Sequence, residues 1–477
     1  MSGINRLTRF LSNADNKLIY AMFLPILIEQ LILALMSTVH SLMLARVREH
    51  AVYIVSAVNL SEQLNQLAFA IIGCVSLGAT VIVSQYVGAR KLNEAKKAAE
   101  TAMLLSVVVA AVMTAVFLIF GEHIFVILLG ADKTEGETFV YAMQYLRLSV
   151  ISYPFFNIGA TAAGVIRGTG DAKSPIRISL VTGALNAAVA GILIYGFELN
   201  IYGAGIALIV SRFFGAVVAF ALMFRKGYIS SIANLFKPKL LYVKQIMRIG
   251  LYGSAENLIF QFGRTITFRN FTGDIHIAAN SVTGALFNII AAPANSMSIV
   301  AMALIGRLTG AGERDQSYKV LRNTIILSMA MLLITNLLFL PISPDLIGFY
   351  TSNFAPENLM EIRGLINQLV MLLVIFMPVS WSAAFILFSG MRGAGDVRYT
   401  TIVSVGTMWA VRVLFAYILG DILGWGVIGV WSAMCADWVV RGVFAVVRFR
   451  SRKWQNKATI ESSDNDSEIK IEIEQNE

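Results

Sequence analysis

Long apolar runs, cut at intervals by short polar clusters, set the pattern of this chain. "AMLLSVVVAAVMTAVFLIFG" (residues 102–121) and "TIILSMAMLLITNLLFLPIS" (residues 324–343) carry no charge. Each is about 20 residues long, the length a helix rising 1.5 Å per residue needs to cross about 30 Å of hydrocarbon. A chain in that medium satisfies its backbone N–H and C=O groups within the helix itself. Apolar runs broken by charge clusters or by Gly and Pro predict about twelve spans. The first six cover residues 18–45, 52–86, 96–120, 138–166, 175–196 and 201–224. The second six cover 246–268, 276–305, 319–340, 362–390, 399–420 and 425–447. Several exceed a simple crossing, which predicts tilted helices or helices that project past the bilayer.

Composition agrees with that pattern: 57% of residues are hydrophobic and 14% charged, where an average globular chain has about a quarter charged. The mean hydropathy is +0.70. The chain reads as an all-α integral membrane protein. Its N-terminus lacks an apolar core followed by a small-residue cleavage site, so no removable signal peptide is expected. Lys and Arg gather in alternate loops, "GARKLNEAKK", "RGTGDAKSPIR", the stretch from Arg225 to Arg248, "GRLTGAGERDQSYKVLR", "RGAGDVR" and "RFRSRK". The positive-inside rule then puts both termini in the cytoplasm of a multi-pass plasma (inner) membrane protein, with "ARVREH" the one dissenting loop. The net charge of +9 reflects this loop asymmetry, and no soluble domain offers a nucleic-acid surface. Cys74 and Cys435 lie in apolar runs and read as small buried hydrophobes. Residues 448–477 read as a cytoplasmic, mostly disordered acidic tail.

The chain also repeats itself. "VIRGTGDAK" begins at Val165 and "GMRGAGDVR" at Gly390, placing Arg167 and Arg392 225 positions apart (392 minus 167). Gly88-Ala89 matches Gly310-Ala311 at nearly the same offset. Two six-helix lobes follow, residues 18–224 and 246–447, after an N-terminal segment 1–17 and joined by a connector 225–245. An even number of crossings returns the chain to the same side, so the halves are expected to be related by a pseudo-twofold axis along the membrane normal. Each Arg-Gly-x-Gly-Asp puts a charged pair, Arg167 with Asp171 and Arg392 with Asp396, at a cytoplasmic mouth. The pair either gates a helix end by charge pairing or anchors the span at the interface.

The arrangement resembles the multidrug and toxic compound extrusion (MATE) family. The resemblance covers roughly residues 15 to 450 and rests on Pro25 with "EQLILALMSTV", "VSQYVGAR", "RGTGDAKSP", "ENLIFQFGR", "RGAGD" and "GVWSAMCADWVVR" in that order. It implies two lobes around a cavity and export of organic cations and other amphipathic compounds against an inward flow of Na⁺ or H⁺. This sequence departs from the family where coupling is expected. His40 stands where many bacterial members have Asp, and Ala190 follows Asn186 where a second Asp is common.

Ionisable side chains inside a membrane are costly and mark functional candidates. His40 is suited to carry a proton, since an imidazole titrates near neutral pH. Glu256, with Asn257 beside it and Gln261 about a turn on, can bind Na⁺ through oxygen, carry a proton or attract a cationic compound. Glu62 and Asn65 share a helix face at i, i+3, and Glu29 and Gln30 lie near Pro25, so both pairs are candidate cavity linings. Asp437 and Arg441 have the spacing of a helix-face ion pair. Trp425, Trp431 and Trp438 recur at nearly helical spacing and read as a lipid-facing or interfacial belt.

Other chemistries find little support. "GTGDAKS" lacks the Gly directly before Lys that a phosphate-cradling loop requires, and there is no nucleotide domain, so energy is expected from an ion gradient. Four scattered histidines offer no metal motif, so neither an enzyme nor a cofactor or metal is expected. A lipid-linked oligosaccharide flippase of related architecture, using Arg212, Arg264, Arg412 and Arg441 on a pyrophosphate, remains an alternative. So does a non-transporting, receptor-like derivative. The expected partners are the lipid bilayer and small organic, cationic substrates, with no nucleic acid and no second subunit.

Overall fold

A computed structural model describes residues 14–45, 51–129, 136–236, 238–269, 274–352 and 356–460. Among these the chain is helical and contains no strand. The first half has α1 (Ala14–Ala45), α2 (Ala51–Gly88), α3 (Leu92–Leu129), α4 (Glu137–Ile151), α5 (Tyr153–Gly168), α6 (Pro175–Gly191) and α7 (Asn200–Arg225). The second half has α8 (Leu240–Arg269), α9 (Asp274–Gly310), α10 (Arg314–Tyr350), α11 (Pro356–Phe376), α12 (Leu387–Gly393), α13 (Val397–Thr407) and α14 (Gly426–Arg450). Among the described residues ten helices are long and apolar enough to cross a membrane, and the bent pair α4 and α5, taken as one span, makes an eleventh. The twelfth expected span lies in α8, whose Lys244, Arg248, Glu256, Arg264 and Arg269 dilute its apolar character.

Proline shapes the fourth span of each half differently. Pro154 has no N–H and its ring opposes the carbonyl of Val150, so the helix breaks at Ser152 with a 49° bend between α4 and α5. Thr114 takes up the freed carbonyl of Val150 at 3.2 Å. In the second half Pro378 opposes the carbonyl of Val374, which Asn336 takes up at 3.1 Å. There the helix stays continuous by widening into a π-helix over Met377–Ile386.

Two compact units result, Ile28–Leu258 and Met1–Leu27 with Ile259–Glu477. They divide the chain differently from the expected lobes, because the boundaries fall inside α1 and α8. Close packing explains the shift. At the start of α1 Asn16 accepts a hydrogen bond from Asn323 of α10 at 3.0 Å. The first turns of α8 press on α2: a Cβ on Gly78 would overlap the carbonyl of Ile246, and one on Gly250 that of Cys74. Each unit has its own core, one around Phe125, Tyr145 and Tyr153, the other around Leu369, Trp431 and Trp438.

The tail differs from its expected disorder over its first part. α14 runs to Arg450, Lys453–Asn456 form a 3-10 turn, and Trp454 is fully buried. Residues 461–477 lie outside the described ones.

Candidate functional site

Inside the unit Ile28–Leu258, the helices α2, α4, α5 and α7 bring polar side chains into one network. Asn65 Nδ2 donates to Glu62 Oε1 at 3.1 Å, and the Tyr145 hydroxyl donates to the same oxygen at 3.2 Å. Asn65 Oδ1 accepts from Ser149 at 3.0 Å and from Tyr153 at 2.8 Å. Arg212 of α7 donates to Ser152 at the helix break at 2.7 Å. Its guanidinium lies 5.2 Å from the ring centre of Phe69 and 4.9 Å from that of Phe156, a cation held between two aromatic faces. Asn65, Ser149, Ser152 and Tyr153 are fully buried, while Glu62 and Arg212 are half-buried. Among the described residues Glu62 forms no ion pair, though Arg212 is within its electrostatic reach. Broken helices at membrane depth are tolerated where they line a polar site, and this one does.

Glu29 is held differently. Arg167 Nη1 donates to both its oxygens at 3.0 and 2.8 Å, and Ser179 adds a third bond at 3.1 Å. With Glu29 only 4% exposed, this is a closed ion pair between α1 and the first Arg-Gly-x-Gly-Asp.

That motif and its repeat now have a physical reading. The first glycine permits close approach: a Cβ on Gly168 would stand 2.8 Å from the Thr80 carbonyl, and one on Gly393 would overlap that of Met302. The second glycine ends the helix in a left-handed conformation, φ 95° at Gly170 and 94° at Gly395. The aspartate staples the end of the sixth span in the same unit, Asp171 to Lys226 and Asp396 to Arg448, the latter at 2.8 Å. Arg167 and Asp171 therefore face separate partners and form no pair with each other. Burial works to raise the Asp171 pKa, but hydrogen bonds from Lys226 and Ser174 outweigh it, so the carboxyl sits below its ordinary value.

The fold and these motifs agree with known proteins. The MatE sequence profile matches residues 25–192 and 253–418, more than half of the chain. The chain belongs to the MatE family. A curated relative named "Probable multidrug resistance protein NorM", from Thermotoga maritima, is 25% identical over 412 residues, covering 85% of this chain and 86% of its own. An "Uncharacterized transporter YisQ" from Bacillus subtilis is 23% identical, covering 92% and 95%. Among solved structures, an outward-facing multidrug resistance MATE family transporter superposes with a TM-score of 0.83 at 18% identity, covering 93% and 98%. A MOP superfamily transporter from Pyrococcus furiosus, described as having a binding pocket of reverse polarity, also reaches 0.83 at 18% identity, covering 93% and 97%.

In this MatE chain the other unit carries the buried charges of its last span as a closed pair, while buried Arg412 lies 4.8 Å from the ring centre of Phe260. Asp437 and Arg441 of α14 are 0% and 1% exposed. Arg441 Nη2 donates to both Asp437 oxygens at 3.2 and 3.0 Å and to the Ser404 carbonyl at 3.3 Å, with its guanidinium 5.1 Å from the Phe385 ring. Trp431 and Trp438 do not form a lipid-facing belt. Both are buried with Phe287 and Trp381, since Trp431 Nε1 finds Asn280 at 3.0 Å and the rings pack edge to face, whereas Trp425 is exposed.

The remaining candidates are scattered. Glu256 is buried on α8, but Asn257 is exposed, because adjacent helical residues do not share a face. Gln261 and Gln30 are half-buried, and Asn186 donates to Ser211 at 3.3 Å. Ala190 is fully buried. Arg392 lies half-buried at the end of α12. The side chains of His40 and Arg264 lie outside the described residues. Among the described residues no cluster of three His, Cys, Asp or Glu side chains could hold a metal ion.

Tyr145, Ser149 and Tyr153 were missed as site residues, and Arg212 was expected only as a pyrophosphate ligand in the flippase alternative. The signal was present, since Tyr141, Tyr145, Ser149 and Tyr153 recur every four positions and so line one face of an otherwise apolar span.

Proposed function

We propose that this MatE protein is a secondary exporter of small organic compounds, driven by proton entry through Glu62, with both termini in the cytoplasm. Family membership and relatives named for multidrug resistance support the exporter reading. One observation supports the choice of Glu62: it is half-buried and receives only neutral side-chain donors, while Glu29 and Asp437 are committed to arginines and the buried Glu100, near the start of α3, is held by the Ser230 N–H. A carboxylate in that state can take up and give back a proton without breaking an ion pair.

A sodium ion fits the same network poorly. Na⁺ asks for several acceptor oxygens, as other hard cations do. Here Asn65 Oδ1 already accepts two hydrogen bonds, Tyr145 donates to Glu62, and Arg212 adds a fixed positive charge nearby. Protonation of Glu62 leaves a carbonyl oxygen that still accepts from Tyr145 and Asn65, more weakly than the anion does, and removes the negative charge within reach of Arg212. That change weakens the hold of α2 on α4 and α7 without breaking its hydrogen bonds. A cationic substrate reaching Glu62 from the cytoplasm competes with the proton for one carboxylate, which is the requirement for antiport.

The test is efflux of a fluorescent organic cation from proteoliposomes, with a pH gradient and a Na⁺ gradient imposed separately. The pH gradient alone should accelerate efflux, and Glu62→Gln should abolish the acceleration and weaken binding of the cationic dye. Acceleration by Na⁺ alone, or a Glu62→Gln protein that still follows the pH gradient, would sink the assignment.

A further inference from the structure

Where the chain leaves the last span it turns back on itself. Arg452 takes a left-handed conformation, φ 55°, and the 3-10 turn Lys453–Asn456 folds under the start of α10. The turn is built firmly. Trp454 stacks on Phe449 at 6.2 Å between centres and donates to the Phe449 carbonyl at 3.2 Å. Buried Gln455 donates to the Arg314 carbonyl and to Ser317 at 3.1 Å. The Arg452 guanidinium lies 4.5 Å from the ring centre of Tyr318, and that ring stacks on Phe449 at 4.3 Å.

Between this turn and the first turn of α10 lies a cavity of about 370 Å³, lined by Arg314, Asp315, Ser451, Arg452, Lys453 and Asn456. Three cations face one carboxylate, and Arg452 bonds Asp315 at 2.8 Å, so a positive excess remains. The first turn of α10 adds the positive end of its helix dipole.

The internal repeat shows that the fold does not require these charges. The same helix end occurs in the other unit, where Gly227 N–H bonds the Phe224 carbonyl as Arg452 N–H bonds that of Phe449. There φ is 69° at a glycine, which meets no steric penalty in that region. Arg314 and Asp315 open α10 where Leu92 and Asn93 open α3, and Lys453 stands where the other unit has Tyr228. Both units make the turn, but only one places cations at its left-handed position and the position after it, and does so with a side chain in a conformation that suits glycine; the Lys226 of the other unit is committed to Asp171.

We propose that this cavity binds the phosphate of an anionic phospholipid headgroup. Guanidinium groups match phosphate oxygens in geometry and charge, and basic pockets at the cytoplasmic ends of spans hold such headgroups. Position favours a lipid over a soluble phosphate. α14 has 25 residues and so is about 37 Å long, against about 30 Å of hydrocarbon, which brings its end into the headgroup layer. The inference rests on the reading of the chain as a membrane exporter whose C-terminal end is cytoplasmic.

The experiment is native mass spectrometry of the full-length chain purified from nanodiscs holding equal phosphatidylglycerol and phosphatidylcholine. Phosphatidylglycerol should be retained preferentially. The double variant Arg452→Gly, Lys453→Gln should lose that preference by about fivefold per charge removed. Arg452→Gly places at this turn the residue its repeat already uses, so the variant should melt no lower than the parent. Equal retention of the two lipids, or a preference unchanged in the variant, overturns the site. Displacement of the lipid by millimolar inorganic phosphate overturns the lipid assignment. Retention is scored without transport, so a chain that exports nothing yet keeps its phosphatidylglycerol would break the exporter reading and leave this site standing.

Discussion

The two units share a scaffold and differ in what it holds. In each, a third-span side chain takes up the carbonyl that a fourth-span proline frees, Thr114 in one and Asn336 in the other. A polar contact follows at matching depth, Asn157 to the Ser106 carbonyl at 2.8 Å and Ser382 to Ser328 at 3.0 Å. The aspartate staples close both fourth-span loops. The interiors diverge around this frame. Glu62 and Asn65 fall, at the offset of Gly88 from Gly310, where the other unit has Gly284 and Phe287, and Tyr145, Ser149 and Ser152 fall, counted back from Pro154 and Pro378, where it has Leu369, Leu373 and Phe376. In the matching turn of the sixth span one unit has Arg212 and the other Asp437, which Arg441 neutralises in place. A shared frame can therefore hold a carboxylate among neutral donors in one unit and a closed ion pair in the other. The frame depends on backbone carbonyls, glycines and loop charges, whereas the interiors depend on a few side chains that the frame leaves free to vary.

The sharpest way to break this contrast is to remove one partner of the closed pair. Asp437→Ala leaves Arg441 buried without its carboxylate, a change that costs about 3–5 kcal/mol in buried pairs. Thermal unfolding in detergent should show that loss. Glu62→Gln, by contrast, should melt close to the parent, because its neighbours are neutral donors that an amide oxygen can still accept from. Equal losses in the two variants would mean that Glu62 is as structural as Asp437, and the functional contrast between the units would fail. Replacing Asp437 and Arg441 together by apolar residues of similar volume should restore most of the stability, since buried pairs are often no better than well-packed hydrophobic side chains.

Much of this was legible in the sequence for a physical reason. Hydrocarbon forces whole helices, so eleven of the expected spans are visible as long, predominantly apolar runs. α8 is the weakest because its charges dilute the signal that identifies the rest. The repeated Arg-Gly-x-Gly-Asp was visible as a turn with a charged pair, but its partners Glu29, Lys226 and Arg448 come from other helices, and spacing cannot reveal those. The unit boundaries inside α1 and α8 were hidden for the same reason, since they depend on which helix lies against Gly78, Gly250 and Asn16. Trp431 and Trp438 misled because an indole suits an interface and a core equally well. The polar face from Tyr141 to Tyr153 was written plainly at i, i+4 spacing, and only the weight given to charged groups over hydroxyls hid it.

The glycines of the repeated motif test the frame itself at intermediate cost. Gly168→Ala would bring a methyl to 2.8 Å from the Thr80 carbonyl and 3.3 Å from the Ser84 nitrogen. Gly393→Ala would drive one into the Met302 carbonyl and to 3.1 Å from the Gly306 nitrogen. The obstacle is backbone in both cases and cannot swing aside, so each should lose about 1–3 kcal/mol, with Gly393→Ala the worse. Thermal unfolding of the pair measures this. If both variants melt with the parent, the close approach is not what holds the fourth span to the second in either unit.

The smallest effect is also the cleanest comparison of the units, because it concerns one backbone angle. α2 and α9 end alike: Lys91 N–H bonds the Tyr86 carbonyl and Glu313 N–H bonds that of Leu308, both at 3.0 Å. The left-handed residue inside this turn is Arg90, φ 58°, in one unit and Gly312, φ 75°, in the other. A side chain in that conformation costs about 1 kcal/mol, and a glycine avoids the cost while gaining freedom in the unfolded chain. Arg90→Gly should therefore raise stability by a few tenths to about 1 kcal/mol, and Gly312→Ala should lower it by a similar amount. Opposite signs are the point of the experiment. A loss in Arg90→Gly would mean that its guanidinium makes a contact worth more than the strain, and that this turn, like the one at Arg452, tolerates an unfavourable angle to place a cation.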